Sequence, residues 1–201
     1  MSADGPRDSR PCYSPRLDAA IALAVDAFRH EVRKGTEIPY LSHLLQVMVL
    51  VAEHGGDEDQ LIAAVLHDYL EDIDGASSDE LRARFGDRVA GLVEGLSDAV
   101  VRPKPPWHER KRRYLALLAG APAELKLISA ADKLHNARSI RRDLSQIGDA
   151  VWSRFTASRD DTLWYYRSLL VALGDGWSSP LLDELIAEVG ALHAAAGVRS
   201  G

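Results

Sequence analysis

A small apolar run, AAVL, leads straight into His67, Asp68, Glu71 and Asp72 within residues 63–72. Imidazoles and carboxylates are the groups that ligate divalent metals and move protons. Three carboxylates closing an apolar segment must be solvated, paired or held by a cation, because a buried charge without a partner costs several kcal/mol. Two residues of the same kind stand in other apolar segments: His43 in SHLLQVMVLVAEH and Asp132 in LISAADKLHNARS. A histidine on an apolar stripe is ordinarily a satisfied core residue, and an aspartate among small residues is ordinarily paired, here with Lys133, Arg138 or a metal. Taken as one pattern, His43, His67, Asp68 and Asp132 supply two imidazoles and two carboxylates. That set suits Mn²⁺, Fe²⁺ or Zn²⁺, with positions left for water on a six-coordinate ion. Such an ion would lower the pKa of water and polarise a phosphoryl oxygen. Glu71 and Asp72, one turn on, would orient that water, move its proton or protonate a leaving group.

The segments that must position these groups read as helices. Apolar residues at helical spacing predict helices over residues 16–32, 42–54 with Ser42 as N-cap, 58–73, 87–99, 108–121, 122–140, 156–173 and 180–196. Another, over 77–86, starts on a capping-box pattern from Ser77 to Glu80 and ends on a glycine. On a continuous helix 58–73, His67 shares a face with Glu71 and Asp68 with Asp72, while His67 and Asp68 lie about 100° apart and lean toward one ion. Three carboxylates near a helix C-terminus oppose the macrodipole, which a nearby positive charge would repair. RKGTEIPY and VVRPKPPW are loops, although residues 97–106 could form a short β-hairpin instead. The expectation is an all-α fold: one multi-helix domain over residues 16–195, with flexible tails at 1–15 and 196–201.

The 201 residues are 46% hydrophobic and 27% charged, ample for one soluble core. A net charge of -6 argues against nucleic acid or an anionic membrane as partner, though not against a local basic pocket for a small anion. Cys12 is the only cysteine, so no intrachain disulfide forms, and neither a signal core nor a bilayer-spanning stretch is present. A cytoplasmic protein is expected.

The stretches RKGTEIPYLSHLLQV, LIAAVLHDYLEDI, LRARFGDRVAGLVEGLSD, ERKRRYLALL and LKLISAADKLHNARSI occur in this order between about Leu17 and Tyr166. In this the sequence resembles the HD-domain metal phosphohydrolases, and more closely the hydrolase domain of the RelA/SpoT alarmone enzymes. The 201 residues leave no room for a synthetase domain, so the resemblance is to the stand-alone, metazoan-SpoT-homologue type. It implies an HD domain and hydrolysis of the 3′-pyrophosphate of (p)ppGpp to GDP or GTP plus pyrophosphate, with a guanosine nucleotide as the small-molecule partner. By matched motif, His43, His67, Asp68 and Asp132 correspond to the metal ligands, usually for Mn²⁺. Glu71 and Asp72 correspond to the catalytic acidic pair, and Arg33 and Lys34 to the basic pair beside the nucleotide. Asn136 matches a residue at the nucleotide sugar or metal water. Arg138, Lys111 and Tyr166 (or its neighbour Tyr165) are candidates near the phosphates and the 5′ end. Tyr69 and Ile73 depart from the family pattern, and a bulky Tyr69 at the pocket edge would leave the exact substrate open.

Ordinary readings stand beside these. Arg33 and Lys34 are loop charges when taken alone, and ERKRRY reads as a solvated helix face. His30, His54, His108 and His193 read as surface or packing residues, and the four tryptophans as core or interhelix anchors. Two other functions compete: a phosphohydrolase of another nucleotide, such as a nucleoside monophosphate or the 2′-phosphate of NADPH, and a non-catalytic nucleotide-binding module that keeps its ion for stability.

Overall fold

A computed structural model describes residues 12–98 and 103–197. Its helices are α1 (Pro15–Ala27), α2 (Leu41–Glu53), α3 (Glu58–Val65), α4 (Tyr69–Asp72), α5 (Ser78–Phe85), α6 (Asp87–Leu96), α7 (Trp107–Ala119), α8 (Ala123–Ile147), α9 (Arg159–Gly174) and α10 (Pro180–Ala195), with a 3-10 turn, Gly148–Arg154, between α8 and α9. Among the described residues there is no strand, only one isolated antiparallel bridge between Val32 and Pro39. The fold is all-α.

The central element is α8. At 25 residues it runs about 38 Å at 1.5 Å per residue. Every residue from Leu125 to Asp132 is buried, the pattern of a helix surrounded on all sides. Helices α2, α10, α6 and α3 pack against it, and fully buried Leu44, Ile62, Ile128, Leu134 and Leu185 are among the side chains that fill the space between them. Each such burial contributes roughly 1.5–3 kcal/mol. Ala130 and Ala131, both wholly buried, keep the middle of α8 narrow where Asp132 must face its neighbours. Lys126, 2% exposed, lays its stem in the core and donates from Nζ to the carbonyls of Ala119 and Asp175 at the ends of α7 and α9.

Side-chain caps fix half of the α-helix starts. Ser14 caps α1 and is itself tied to Glu58 Oε1 at 2.7 Å; Asp57 and Gln60 form a reciprocal capping box on α3; Ser158 and Ser179 cap α9 and α10. Three expectations are corrected. Ser42 is not the N-cap of α2: the helix starts a residue earlier, and the Ser42 hydroxyl donates back to the Pro39 carbonyl. Ser77 accepts from the Glu80 N–H, but the Glu80 side chain goes to Tyr69 and Arg84 rather than completing the box. The expected helix 58–73 is broken. α3 stops at Val65, residues 66–68 form a turn with Leu66 at φ -109°, ψ 8° and Asp68 at φ -95°, ψ 0°, and α4 resumes at Tyr69. Residues 99–102, the middle of the hairpin considered near 97–106, lie outside the described residues, as do 1–11 and 198–201 of the expected tails.

Candidate active site

The turn at 66–68 is where the chemistry gathers. In an unbroken helix the Ala64 carbonyl would accept from the Asp68 N–H. Here the His67 ring takes that carbonyl instead, its Nδ1–H donating to Ala64 O at 2.8 Å. This commits Nδ1 to the backbone and turns Nε2 inward. His43, in the first turn of α2, points its Nε2 to the same place, and Asp132 reaches it from the middle of α8. His67 Nε2 lies 2.9 Å from Asp68 Oδ2, and His43 Nε2 lies 3.3 Å from Asp132 Oδ1. The crossed distances, His43 to Asp68 and His67 to Asp132, are both 3.7 Å. Both histidines are almost wholly buried, yet neither Nε2 makes a hydrogen bond of acceptable geometry. Two orphaned imidazole nitrogens, each costly to bury, converging with two carboxylates are what a divalent cation of borderline character would satisfy. His43, His67 and Asp68 offer ligand atoms within 4.8 Å of one another. The donor set fits a divalent metal.

The electrostatics agree. Burial works against a charged His67, but the Asp68 and Asp132 carboxylates outweigh it and push its pKa up to about 9. Burial holds His43 below its ordinary value. Burial alone would raise Asp68 and Asp132, but His67 holds Asp68 below the usual carboxylate range, and Lys133 with both histidines holds Asp132 well below it. The cluster therefore keeps its carboxylates ionised and draws in positive charge.

Around the cluster a cavity of about 510 Å³ opens, a size that takes a nucleotide. Arg33, Lys34, Asp68, Glu71, Asp72, Lys111, Asp132, Asn136 and Tyr166 all line it. Arg33 donates to Asn136 Oδ1 at 2.5 Å, and Asn136 donates to Asp132 Oδ1 at 2.5 Å, so one hydrogen-bonded chain runs from the rim to the cluster. Arg33 and Lys34 sit on a tight turn closed by Arg33 N–H to Ile38 O at 2.8 Å and Thr36 N–H to Arg33 O at 3.0 Å. Glu71 is held above its ordinary pKa by burial and by the charges of Asp98 and Asp68, and Asp72 likewise by burial and Asp68.

Arg138 is the one predicted residue placed elsewhere. It lies on the outer face of α8 and pairs with Glu184 of α10 at 2.8 Å, away from the cavity. Two positions from Asn136, it points some 200° round the helix, a rotation that motif proximity conceals. Tyr69 is not at the pocket edge either: it is 5% exposed and donates to Glu80 Oε2 at 2.9 Å. Lys111 lines the cavity but is already salt-bridged to Asp98 at 2.5 Å. Several lining residues carried no sequence signal. Tyr40 donates to Asp68 Oδ2 at 2.6 Å. Lys104 lies 3.0 Å from Glu71 and 3.4 Å from Asp72. Arg110, His135 and Arg142 also face the cavity, as does Lys133, a partner expected for Asp132, whose Nζ lies 2.5 Å from Asp132 Oδ2. Seven basic residues thus line it in a chain of net charge -6.

Comparison with known proteins places the chain in a family. Residues 20–163 match the HD domain family. A guanosine-3′,5′-bis(diphosphate) 3′-pyrophosphohydrolase, MESH1, of Xenopus tropicalis is 34% identical over 133 residues, covering 62% of this chain and 72% of that protein. The enzyme of the same activity name from Aquifex aeolicus is 34% identical over 131 residues, covering 65% of this chain but only 18% of its own length. The solved structure of a metazoan orthologue of SpoT that hydrolyses ppGpp superposes with a TM-score of 0.74 at 26% identity, covering 96% of this chain and all of that one. No helix among the described residues is long and apolar enough to cross a membrane.

Proposed function

This chain belongs to the HD-domain family, and on that premise we propose that it is a divalent-metal-dependent phosphohydrolase that removes the 3′-pyrophosphate of guanosine tetra- or pentaphosphate, giving GDP or GTP and pyrophosphate. The observation that carries the reading is the convergence of the unpartnered Nε2 atoms of His43 and His67 with Asp68 and Asp132 in a cavity walled by seven basic residues. A polyanion is the ligand such a wall selects in an otherwise acidic protein.

His43, His67, Asp68 and Asp132 are assigned as metal ligands, with Mn²⁺ the expected ion and Fe²⁺ or Zn²⁺ the alternatives. The bound ion supplies a lowered water pKa and a polarised phosphoryl oxygen. Arg33 and Lys34 hold phosphate at the rim, and Asn136 couples that grip to the cluster through its two hydrogen bonds. Glu71, with its raised pKa, takes the proton of the water as the water oxygen bonds to phosphorus and the phosphorus–3′ oxygen bond breaks, and passes that proton to the departing 3′ oxygen. Asp72, whose side chain is 40% exposed, orients that water from the mouth of the cavity. Tyr165 and Tyr166, both buried, form the wall against the nucleoside. The same reading assigns the protein to the cytoplasm, which the single exposed thiol of Cys12 supports.

The deciding assay is pyrophosphate release from ppGpp by the purified protein with Mn²⁺, beside a panel of nucleoside monophosphates and NADPH. Turnover of ppGpp that disappears in Asp68→Ala and Asp132→Ala is the expected result. A metal-loaded wild type that leaves ppGpp intact but dephosphorylates another member of the panel would move the substrate. If EDTA lowers the melting temperature and nothing turns over, the non-catalytic module is the correct reading.

A further inference from the structure

The two candidate histidine ligands are oriented by different means. His67 has its Nδ1–H committed to a backbone carbonyl, Ala64 O at 2.8 Å. His43 has no such carbonyl. Among the described residues its Nδ1 has one hydrogen-bond partner, the Nδ1 of His135 on α8, at 2.7 Å. The two rings lie 4.8 Å apart between centroids and are tilted by 33°. At 2.7 Å one nitrogen must carry the proton and the other the lone pair. If the proton sits on His135, then neutral His43 is protonated at Nε2, the atom that faces Asp68 and Asp132, and it cannot ligate. If the proton sits on His43 Nδ1, its Nε2 lone pair is free.

We infer that His135 is a positioning residue whose Nδ1 accepts the Nδ1–H of His43, selecting the tautomer and ring orientation in which His43 binds the metal. His135 does not reach the cluster itself and is no ligand. It acts on the ion through His43, as Ala64 O acts through His67. The different partners follow from the backbone. His67 sits where a helix breaks and a carbonyl comes free, whereas His43 sits in the first turn of α2, and its ring is turned toward α8, so its acceptor must come from a side chain. His135 is one helical turn from Asp132, as Asn136 is, so one stretch of α8 carries a ligand, its hydrogen-bonded neighbour and the acceptor for the ligand opposite.

The inference rests on the metal centre proposed above, and the test separates the two. Mn²⁺ affinity is read from the electron paramagnetic resonance signal of free ion for wild type, His43→Ala, His135→Phe and His135→Asn. Phenylalanine fills the ring volume without an acceptor, while asparagine places Oδ1 where Nδ1 stood. Weakening by about 10–100-fold in His135→Phe, the usual effect of losing a partner of a ligating histidine, with most of it restored in His135→Asn, is expected. Wild-type affinity in His135→Phe, or equal loss in both variants, would overturn the positioning role while the loss in His43→Ala still upheld the metal centre. Unchanged binding in His43→Ala would overturn both. Should His135→Phe not fold, as judged by circular dichroism, His135→Leu takes its place.

Discussion

The turn that carries Arg33 and Lys34 depends on Gly35, and Gly35→Ala measures that dependence. Gly35 has φ +68°, in the left-handed region, where an L side chain costs about 1–2 kcal/mol. A Cβ there would also lie 2.6 Å from Arg154 Cδ and 2.7 Å from its Cγ and Nε. Arg154 must move, and in moving it gives up its ion pair with Asp143 at 2.7 Å, whose side chains are 21% and 18% exposed. Such a pair contributes up to about 1 kcal/mol. Gly35→Ala should therefore destabilise by about 2–3 kcal/mol, or about 4–12 °C in melting temperature for a chain of this size. Arg154→Ala alone should cost about 1 kcal/mol. Because both substitutions remove the same ion pair, the double variant should cost about 1 kcal/mol less than the sum of the singles. Urea unfolding of the four proteins reads this coupling directly. Additivity within about 0.5 kcal/mol would show that Arg154 does not press on Gly35 and would refute the reasoning. In the folded protein, KM for the nucleotide should rise more than kcat falls, since the displaced turn carries Arg33 away from Asn136.

His67 has a folded pKa raised to about 9, above its unfolded value near 6.5, so its contribution is fully present below pH 6.5 and is lost as pH rises through 9. In EDTA, stability should fall over that window by on the order of 3 kcal/mol; melting curves of His67→Asn should lack the fall. Lys104 lowers the pKa of Glu71 from a value that burial and Asp98 have raised. The acid limb of kcat/KM for pyrophosphate release should lie above the ordinary glutamate range, and Lys104→Ala should move it to still higher pH. Arg138→Ala should leave KM unchanged and cost no more than about 1 kcal/mol, because its partner is exposed Glu184, whereas Arg33→Ala should raise KM; equal effects on KM would return Arg138 to the site.

What could be read beforehand, and what could not, follows from how far each signal reaches along the chain. Helices with a clean apolar period, such as α2, α9 and α10, were legible because burial of one face is a local pattern. The four candidate ligands were legible because buried imidazoles and carboxylates in apolar segments demand a partner, whatever the topology. The break at residues 66–68 was not. The stretch from Glu58 to Ile73 contains neither glycine nor proline, and nothing in its propensities stops a helix. The tertiary structure stops it: His67 and Asp68 can face α2 and α8 together only if they leave the α3 spiral, and the Ala64 carbonyl released by the break is then spent on His67. The break falls between α3 and α4, and Asp68, as the N-cap of α4, still accepts the Asp72 N–H at 2.9 Å, so Asp68, Glu71 and Asp72 line the same cavity. The roles of Tyr40 and His135 were hidden for a related reason. Each is a hydrogen bond across elements, spanning 28 residues from Tyr40 to Asp68 and 92 from His43 to His135, so no spacing announces it. A local pattern can show that a residue needs a partner; which residue answers is decided by the packing of α2 against α8. A helix break without a breaker residue, beside a buried histidine, is then itself a mark of a site, since the lost backbone hydrogen bond has to be offset by something the site requires.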